Sequence, residues 1–411
     1  MGFTLKFSNT NTRANGDPLA TEEETAITSA YVMMTSENGT TFERVLDMTA
    51  PANGSGEGYY QDKQKFLFKT TAGNHDFYAV INPDEAPTVK GNISEYFNQA
   101  QALALGTITE DNKFMMSNCN KNTFNLVDNV TEEQALNGNK DEDATNNFSI
   151  SVERVVAKVT MTCLNPTLES ESGTTNVGGK INNLQFYLMG EATKSYRMAS
   201  TRNLNLARTE GITDRYSFES DIPAGITINT GADQDKTQAT PVYCLENLQD
   251  DYKQGNTTYI LLKTDFIPTK IVDCTKADGT TTDNDNTSTA ESFYVVKSGD
   301  LAGNYIIKAD LDAYKQNHQN QLPQGVLSIS DEYENGTCWF GPIWVGQENA
   351  DNNGPVKRNT WYNLNITKIK LPGDPNVPEI NESQPLVPNT NVAITLDVMD
   401  WVSADRNISL Q

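Results

Sequence analysis

The amino-acid sequence predicts an all-β chain with a minor helix, built as two antiparallel β-sandwich domains plus a strand-like C-terminal extension. Three observations carry this. Short runs of Thr, Val, Ile, Tyr and Phe recur between clusters of Asn, Asp, Gly and Ser. No repeat of about 20–50 residues is evident, which excludes solenoids and propellers. A length of 411 residues with 37% hydrophobic content supports more than one core.

The elements follow in order. Phe3, Leu5 and Phe7 alternate with Thr4 and Lys6 as a short amphipathic strand. Asn9–Asp17 is a polar loop around one basic residue, Arg13, the type of segment that proteases nick. Ala26–Met34 is a candidate strand. Lys65–Thr70 and His75–Ile81 are expected as the two arms of a hairpin across residues 71–74. Ser94–Leu105 is the clearest helix, with Ser94 as N-cap and Gly106 just past its end. Residues 131–147 are acidic and polar and serve as a loop or boundary, which closes a first domain over 14–147.

A second domain is expected over 148–371. It opens with Ser149–Cys163, where Val155, Ala157, Val159, Met161 and Cys163 alternate with Val156, Lys158, Thr160 and Thr162. Further strands are expected at Ile181–Leu188, Pro241–Glu246, Thr257–Thr264, Phe293–Lys297, Tyr305–Leu311, Cys338–Val345 and Trp361–Ile369. The last stretch, 372–411, begins with Pro372, Pro375, Pro378, Pro385 and Pro388, a density that suits an extended spacer. Val392, Ile394, Leu396 and Val398 then alternate with Ala393, Thr395, Asp397 and Met399, followed by Trp401, Ile408 and Leu410. A strand-like tail thus follows a linker.

Charge and chemistry narrow the function. The net charge of −23 comes without a basic run, which excludes nucleic acid and disfavours an anionic membrane surface. No apolar stretch reaches the length of a membrane-spanning helix. No signal peptide is visible, and the start is expected to be one from which an export signal has been removed. Cys119, Cys163, Cys244, Cys274 and Cys338 form no close pair and are expected to be free thiols, without zinc spacing. His75 and His318 are the only histidines, and no nucleophile or phosphate-loop motif accompanies them. Gly54–Gly58 is a flexible turn, and Asp283–Asn286 departs from a calcium loop at Ser288 and Tyr294. No catalytic residue, metal or cofactor is therefore expected.

The two ends remain. Each carries an apolar-alternating strand, one before a cleavable loop and one after a linker. Such strands either complete their own chain's sheets or exchange between molecules.

Several stretches resemble the major fimbrial subunits (fimbrillins, type V pilins) of the Bacteroidetes. They are Phe3–Ser8 followed by Thr12-Arg13-Ala14, His75–Asn82, Val152–Val159, Val242–Asn247, Arg358–Ile366 and the terminal strand through Trp401. The resemblance implies a lipoprotein precursor with two transthyretin-like sandwiches. It also implies an outer-membrane Arg-specific protease that cuts at Arg13-Ala14 and frees the strand of Phe3, Leu5 and Phe7. The donor strand of the next subunit, here Val392, Ile394, Leu396, Val398, Ile408 and Leu410, would fill the groove. The implied partners are further copies of the chain, anchor and tip subunits, that protease, and host or bacterial receptors. The implied setting is a cell-surface fimbria that supports adhesion and biofilm, exported through the outer membrane. A donor tail favours a stalk position over a tip. The lipobox cysteine does not occur in the sequence. A surface glycan-binding lipoprotein is the alternative, with Trp339, Trp344 and Trp361 as candidate platform residues, and a glycosidase is a more distant one.

Overall fold

The structure is a computed structural model. It describes residues 2–7, 21, 24, 26–47, 58–61, 65–97, 108–109, 113–137, 146–163, 178–192, 195–199, 225–228, 239–249, 251–276, 279–286, 288–346, 355–369, 371–386 and 392–400, with backbone alone for 2–7, 58–61, 65–68, 132, 136–137, 149 and 392–400. The first half contains β1 (Gly2–Phe7), β2 (Ala30–Ser36), β3 (Arg44–Asp47), β4 (Gly58–Gln61), β5 (Lys65–Phe68), β6 (Gly73–Ile81), β7 (Met116–Ser117), β8 (Asn122–Leu126) and β9 (Asn147–Arg154). The second contains β10 (Val156–Cys163), β11 (Gly179–Met189), β12 (Ile226–Thr227), β13 (Val242–Leu245), β14 (Tyr259–Pro268), β15 (Lys270–Val272), β16 (Thr281–Asp283), β17 (Phe293–Ser298), β18 (Tyr305–Ile307), β19 (Ser328–Ile329), β20 (Thr337–Trp344), β21 (Thr360–Ile369) and β22 (Val392–Asp400). Three helices are described: α1 (Ile93–Phe97), α2 (Glu132–Asn137) and α3 (Lys308–Asn317).

The first half is one nine-stranded sheet in the order β3-β2-β6-β7-β9-β1-β5-β4, with β8 beside β6. Its core joins Ala30, Val32 and Met34 of β2 and Phe77, Ala79 and Ile81 of β6 to Ile150 and Val152 of β9. In the second half, the sheet β13-β10-β21-β22 packs on the sheet β12-β11-β14-β20. Ala157, Val159, Met161 and Cys163 of β10 meet Phe186, Leu188, Ile260, Leu262 and Phe340 across that interface. Alternation along β10 therefore does mark the core face. The other face of β10 is nonetheless buried too, through Val156, Lys158, Thr160 and Thr162. A smaller sheet, β16-β15-β18-β17-β19, extends the second half.

The spine is one run of chain, β9 then β10, that changes sheet at Val155. Val155 and Val156 sit in the first half's core together with Leu245 and Trp361 from the second. Sheet membership thus changes at Val155, past the expected 147/148 boundary, because 147–154 pair with β1 and β7.

Four local expectations differ from the structure. Lys65–Phe68 and Gly73–Ile81 are both strands, but not a hairpin. β5 pairs with β1 and β4, whereas β6 pairs with β2, β7 and β8. The helix near 94 is capped by Asn92, whose Oδ1 accepts the N–H groups of Ser94 and Glu95, and not by Ser94; past Phe97 it lies outside the described residues. The polar stretch after 131 holds α2, started by a reciprocal capping box: Gln134 N–H donates to Thr131 Oγ1 and Thr131 N–H to Gln134 Oε1. Finally, the expected strand at 305–311 stops at Ile307 and continues as α3, where only Leu311 faces the core and no apolar stripe announces a helix.

Candidate functional site

β1 lies inside its sheet, parallel to β9 and antiparallel to β5. Its register sets Phe3, Leu5 and Phe7 beside Phe148, Ile150 and Val152. Ile150 and Val152 are fully buried in the first core, and Phe148 packs against it. The strand expected to be displaced is thus laid along the core-facing positions of the spine. Arg13 and Ala14 lie outside the described residues.

β22 lies at the edge of its sheet, antiparallel to β21. Val392, Ile394, Leu396 and Val398 stand opposite Ile369, Ile366, Leu364 and Tyr362, all members of the second core. A register shift between Ile366 and Lys368 preserves this phase, since it brings Ile369 instead of Lys368 opposite Val392. Ile408 and Leu410 lie outside the described residues. The tail therefore completes a sheet of its own chain.

The linker before β22 is docked rather than free. Val377, Ile380 and Leu386 pack on Tyr187, Met189, Tyr259, Leu261, Trp339 and Trp344, on the face of the β11-β14-β20 sheet turned away from the core. Asp374 exchanges both backbone hydrogen bonds with Trp339 at 2.7 and 2.8 Å, which pairs the otherwise open edge of β20. Gln254 N–H donates to Gln384 O at 2.9 Å, and Gly255 N–H to Glu382 O at 3.2 Å. A Cβ at Gly255 would stand 2.7 Å from the Glu382 backbone, so only glycine admits the linker there. Prolines dense enough to bar a central strand are compatible with this extended, laterally bonded path.

Between the two terminal strands sits a buried charge cluster that sequence reading missed. Thr21 and Glu24 form a capping box, Thr21 N–H donating to Glu24 Oε2 and Glu24 N–H to Thr21 Oγ1. Glu24 Oε1 accepts from Lys158 Nζ at 2.7 Å and from Tyr243 OH at 2.8 Å, and its carbonyl accepts from Arg154 Nε at 2.9 Å. The Lys158 ammonium lies 4.0 Å from the Trp361 ring centroid. Burial raises the Glu24 carboxyl, but the Lys158 charge and the hydrogen bonds from Lys158, Thr21 and Tyr243 outweigh it, and Glu24 titrates below its ordinary value. Thr21-x-x-Glu24 was the available signal, together with a lysine set among apolar residues of a strand.

The other singled-out residues are structural. His75 is buried and hydrogen-bonded to Thr71 O, and exposed His318 stacks on Tyr314 at 3.9 Å. Trp339, Trp344 and Trp361 are buried, so they form no exposed platform. All five cysteines are free thiols. Asn284 and Asn286 spend their amide oxygens on their own turns. Among the described residues no three His, Cys, Asp or Glu side chains converge on a metal position. No described helix is long and apolar enough to cross a membrane.

Comparison with known proteins adds a second line. Residues 331–407, which contain β20, the linker, β21 and β22, match the family described as Major fimbrial subunit protein type IV, Fimbrillin, C-terminal. The C-terminal part of the chain is thus similar to the C-terminal region of fimbrillins. The fold of the chain is similar to that of a fimbrilin (fimA) from Porphyromonas gingivalis W83, at 16% identity and a TM-score of 0.50 over 98% of each chain. A likeness also extends to the tip fimbrial protein Mfa3 from Porphyromonas gingivalis with C-terminal truncation, at 12% identity and a TM-score of 0.43 over 97% of this chain and 99% of that one. No curated protein matches significantly. The matched region contains β22 and the strand β21 with which it pairs.

Proposed function

We propose that this chain is a structural subunit of a cell-surface fimbria and joins other copies head to tail by strand exchange. The observation that carries the reading is the placement of both terminal strands. Each is held by a backbone ladder whose register sets its apolar residues against core residues of its own half. Such a strand can be replaced by an equivalent strand from another copy, which is β-strand addition. Because donor and acceptor surfaces differ, the contact is head-to-tail and does not close, and a filament results.

The proposed sequence begins with a cut at Arg13-Ala14. β1 then loses its covalent tether and can leave the slot between β9 and β5. A donor replacing it in the same polarity runs parallel to β9. Val392, Ile394, Leu396 and Val398 supply the apolar contacts, with Ile408 and Leu410 beyond them. Burying four aliphatic side chains contributes about 6–12 kcal/mol before entropy. The donor first leaves β21, so exchange trades a ladder on β21 for one on β9 that β5 flanks at its first two positions. The Arg-specific protease is placed at the outer membrane, and the subunit is exported there as a lipoprotein precursor. The fibre's further partners are anchor and tip subunits, and adhesion and biofilm formation are its roles. The reading needs no catalytic residue and no cofactor.

The test is native trypsin treatment followed by electron microscopy and unheated gels. Wild type is expected to lose its first residues and form filaments and ladders, and Arg13→Ala to stay monomeric. Equal polymer from both proteins would falsify the trigger.

A further inference from the structure

The chain after β11 does something the strand-exchange reading does not require. At Gly190 the backbone turns with φ +66°, where a Cβ would meet Thr257 O at 2.6 Å. The chain then passes Ser195–Ala199, a segment that belongs to the second half by sequence and is buried in contacts with both.

Towards the first half, Arg197 holds Asp84 with two hydrogen bonds of 2.8 Å, from Nε to Oδ1 and from Nη2 to Oδ2. Its Nη1 donates to Tyr96 O at 3.0 Å, and the guanidinium lies 4.3 Å from the Tyr96 ring centroid. Ser117 Oγ donates to Arg197 O. Met198 enters a cluster with Met33, Phe42, Tyr78, Val80, Ile93 and Phe97, and is the only described member of it from beyond Val155. Towards the second half, Arg358 donates to Tyr196 O at 2.8 Å and to Ser195 Oγ at 3.3 Å, while it is itself paired with Glu246.

We propose that Ser195–Ala199 is a strap that locks the two halves into one rigid body, so that the subunit carries tension without hinging at Val155. The two halves share one strand run through Val155, with Leu245, Trp361 and the Glu24–Lys158 pair gathered beside that run, and contacts clustered about one line leave bending as the default. A second tie at a lateral distance removes that freedom. The strap has the properties of such a tie: a fork of charge-assisted bonds that fixes direction, an apolar plug that resists withdrawal, and a buried Arg358–Glu246 pair as footing. In any filament built from these subunits, stiffness within the subunit then depends on 195–199, and stiffness between subunits on the exchanged strand.

The experiment uses the full chain with fluorophores carried by non-natural residues at Val89 and Leu327, which are both exposed and lie in different halves. Single-molecule energy transfer reads the distance distribution between the halves. Wild type is expected to give one narrow distribution. The double variant Arg197→Ala/Met198→Ala is expected to broaden it and, in the same protein, to raise hydrogen exchange of β2 and β6 by roughly tenfold or more. Phe97→Ala is the control: it weakens the same cluster without crossing the seam, and is expected to raise exchange while the distribution stays narrow. A narrow distribution in the double variant overturns the proposal, as does a distribution broadened equally by Phe97→Ala. Neither readout depends on filament formation.

Discussion

β1 lies between two strands of the first half, whereas β22 lies beside one strand of the second. Both run alongside partners in register with core residues, so register alone does not separate them. The number of ladders does. β1 is paired on both sides at Gly2 and Phe3 and with β9 alone from Thr4 to Phe7, whereas β22 is paired on one side along its whole length and leaves the other row unpaired by its sheet neighbours. The tethers differ as well. β1 is followed in sequence by Arg13 and then by the Glu24 anchor, and β22 is preceded by a linker docked on the β14 and β20 face. The comparison teaches that the slot of β1 is built by two neighbouring strands and the seat of β22 by one, and on the proposed strand-exchange reading the covalent connection of β1 reserves that slot for its own chain. An intramolecular strand enjoys a high effective concentration, and a cut removes that advantage.

Arg13→Ala is the change with the largest expected effect on this comparison. It leaves both seats unaltered and removes only the cut, and the outcome expected is complete loss of protease-triggered polymer on unheated gels. Next comes Ile394→Asp/Leu396→Asp. The register opposes these positions to Ile366 and Leu364, so two carboxylates would enter an apolar ladder in either seat. The expected result is loss of polymer together with a destabilised monomer, by about 3 kcal/mol or more. A monomer melting temperature equal to that of wild type would show that β22 does not hold its place on β21 in solution.

How far the sequence discloses this arrangement differs between the two ends. The period-2 alternation at Phe3–Phe7 and Val392–Val398 identifies both strands, because a two-residue period is a local property. Which strand they pair with is a long-range property: nothing in Lys65–Phe68 says that its neighbour is Gly2–Phe3 and not the strand that follows it in sequence. For the same reason the Pro-rich linker reads in the sequence as an extended spacer with no sign of what it docks on. Its seat is made by Tyr187, Tyr259 and Trp339, residues that lie far from it in the chain. The Glu24 cluster was legible only in part. The capping box is a four-residue signal, but Lys158 and Tyr243 are brought to it by the fold.

Glu24 sharpens the comparison from the side of the tether. It fixes the chain just past the proposed cut, so that what leaves is the upstream segment alone. Breaking this buried pair with Glu24→Gln is expected to cost about 3–5 kcal/mol at pH 7. The sign with pH follows from the depressed carboxyl. Its contribution is complete above the unfolded value of about 4.3 and is lost as pH falls through the lower folded value. Denaturant melts are therefore expected to show the gap between wild type and Glu24→Gln narrowing below about pH 4. A gap that stays constant from neutral to acid pH would place the effect in packing and not in charge.

The smallest expected effect concerns Glu191, on the turn that leads from β11 towards the strap. Burial raises its carboxyl to about 7, and no compensating charge lowers it. The linkage is opposite to that of Glu24. Between the unfolded value of about 4.3 and the folded value, the native state holds a proton that the unfolded chain has lost, so stability falls as pH rises through that window. Glu191 keeps part of its surface in water, which limits the penalty to about 1–3 kcal/mol at pH 8. Glu191→Gln removes the ionisation and is expected to stabilise the protein at pH 8 while leaving it nearly unchanged at pH 4. Because Ala192, the next residue, packs against the first core, the gain should register as slower hydrogen exchange on both sides of Val155. A gain confined to the second half would mean that the turn at Gly190 belongs to that half alone and that Ala192 does not couple it to the first.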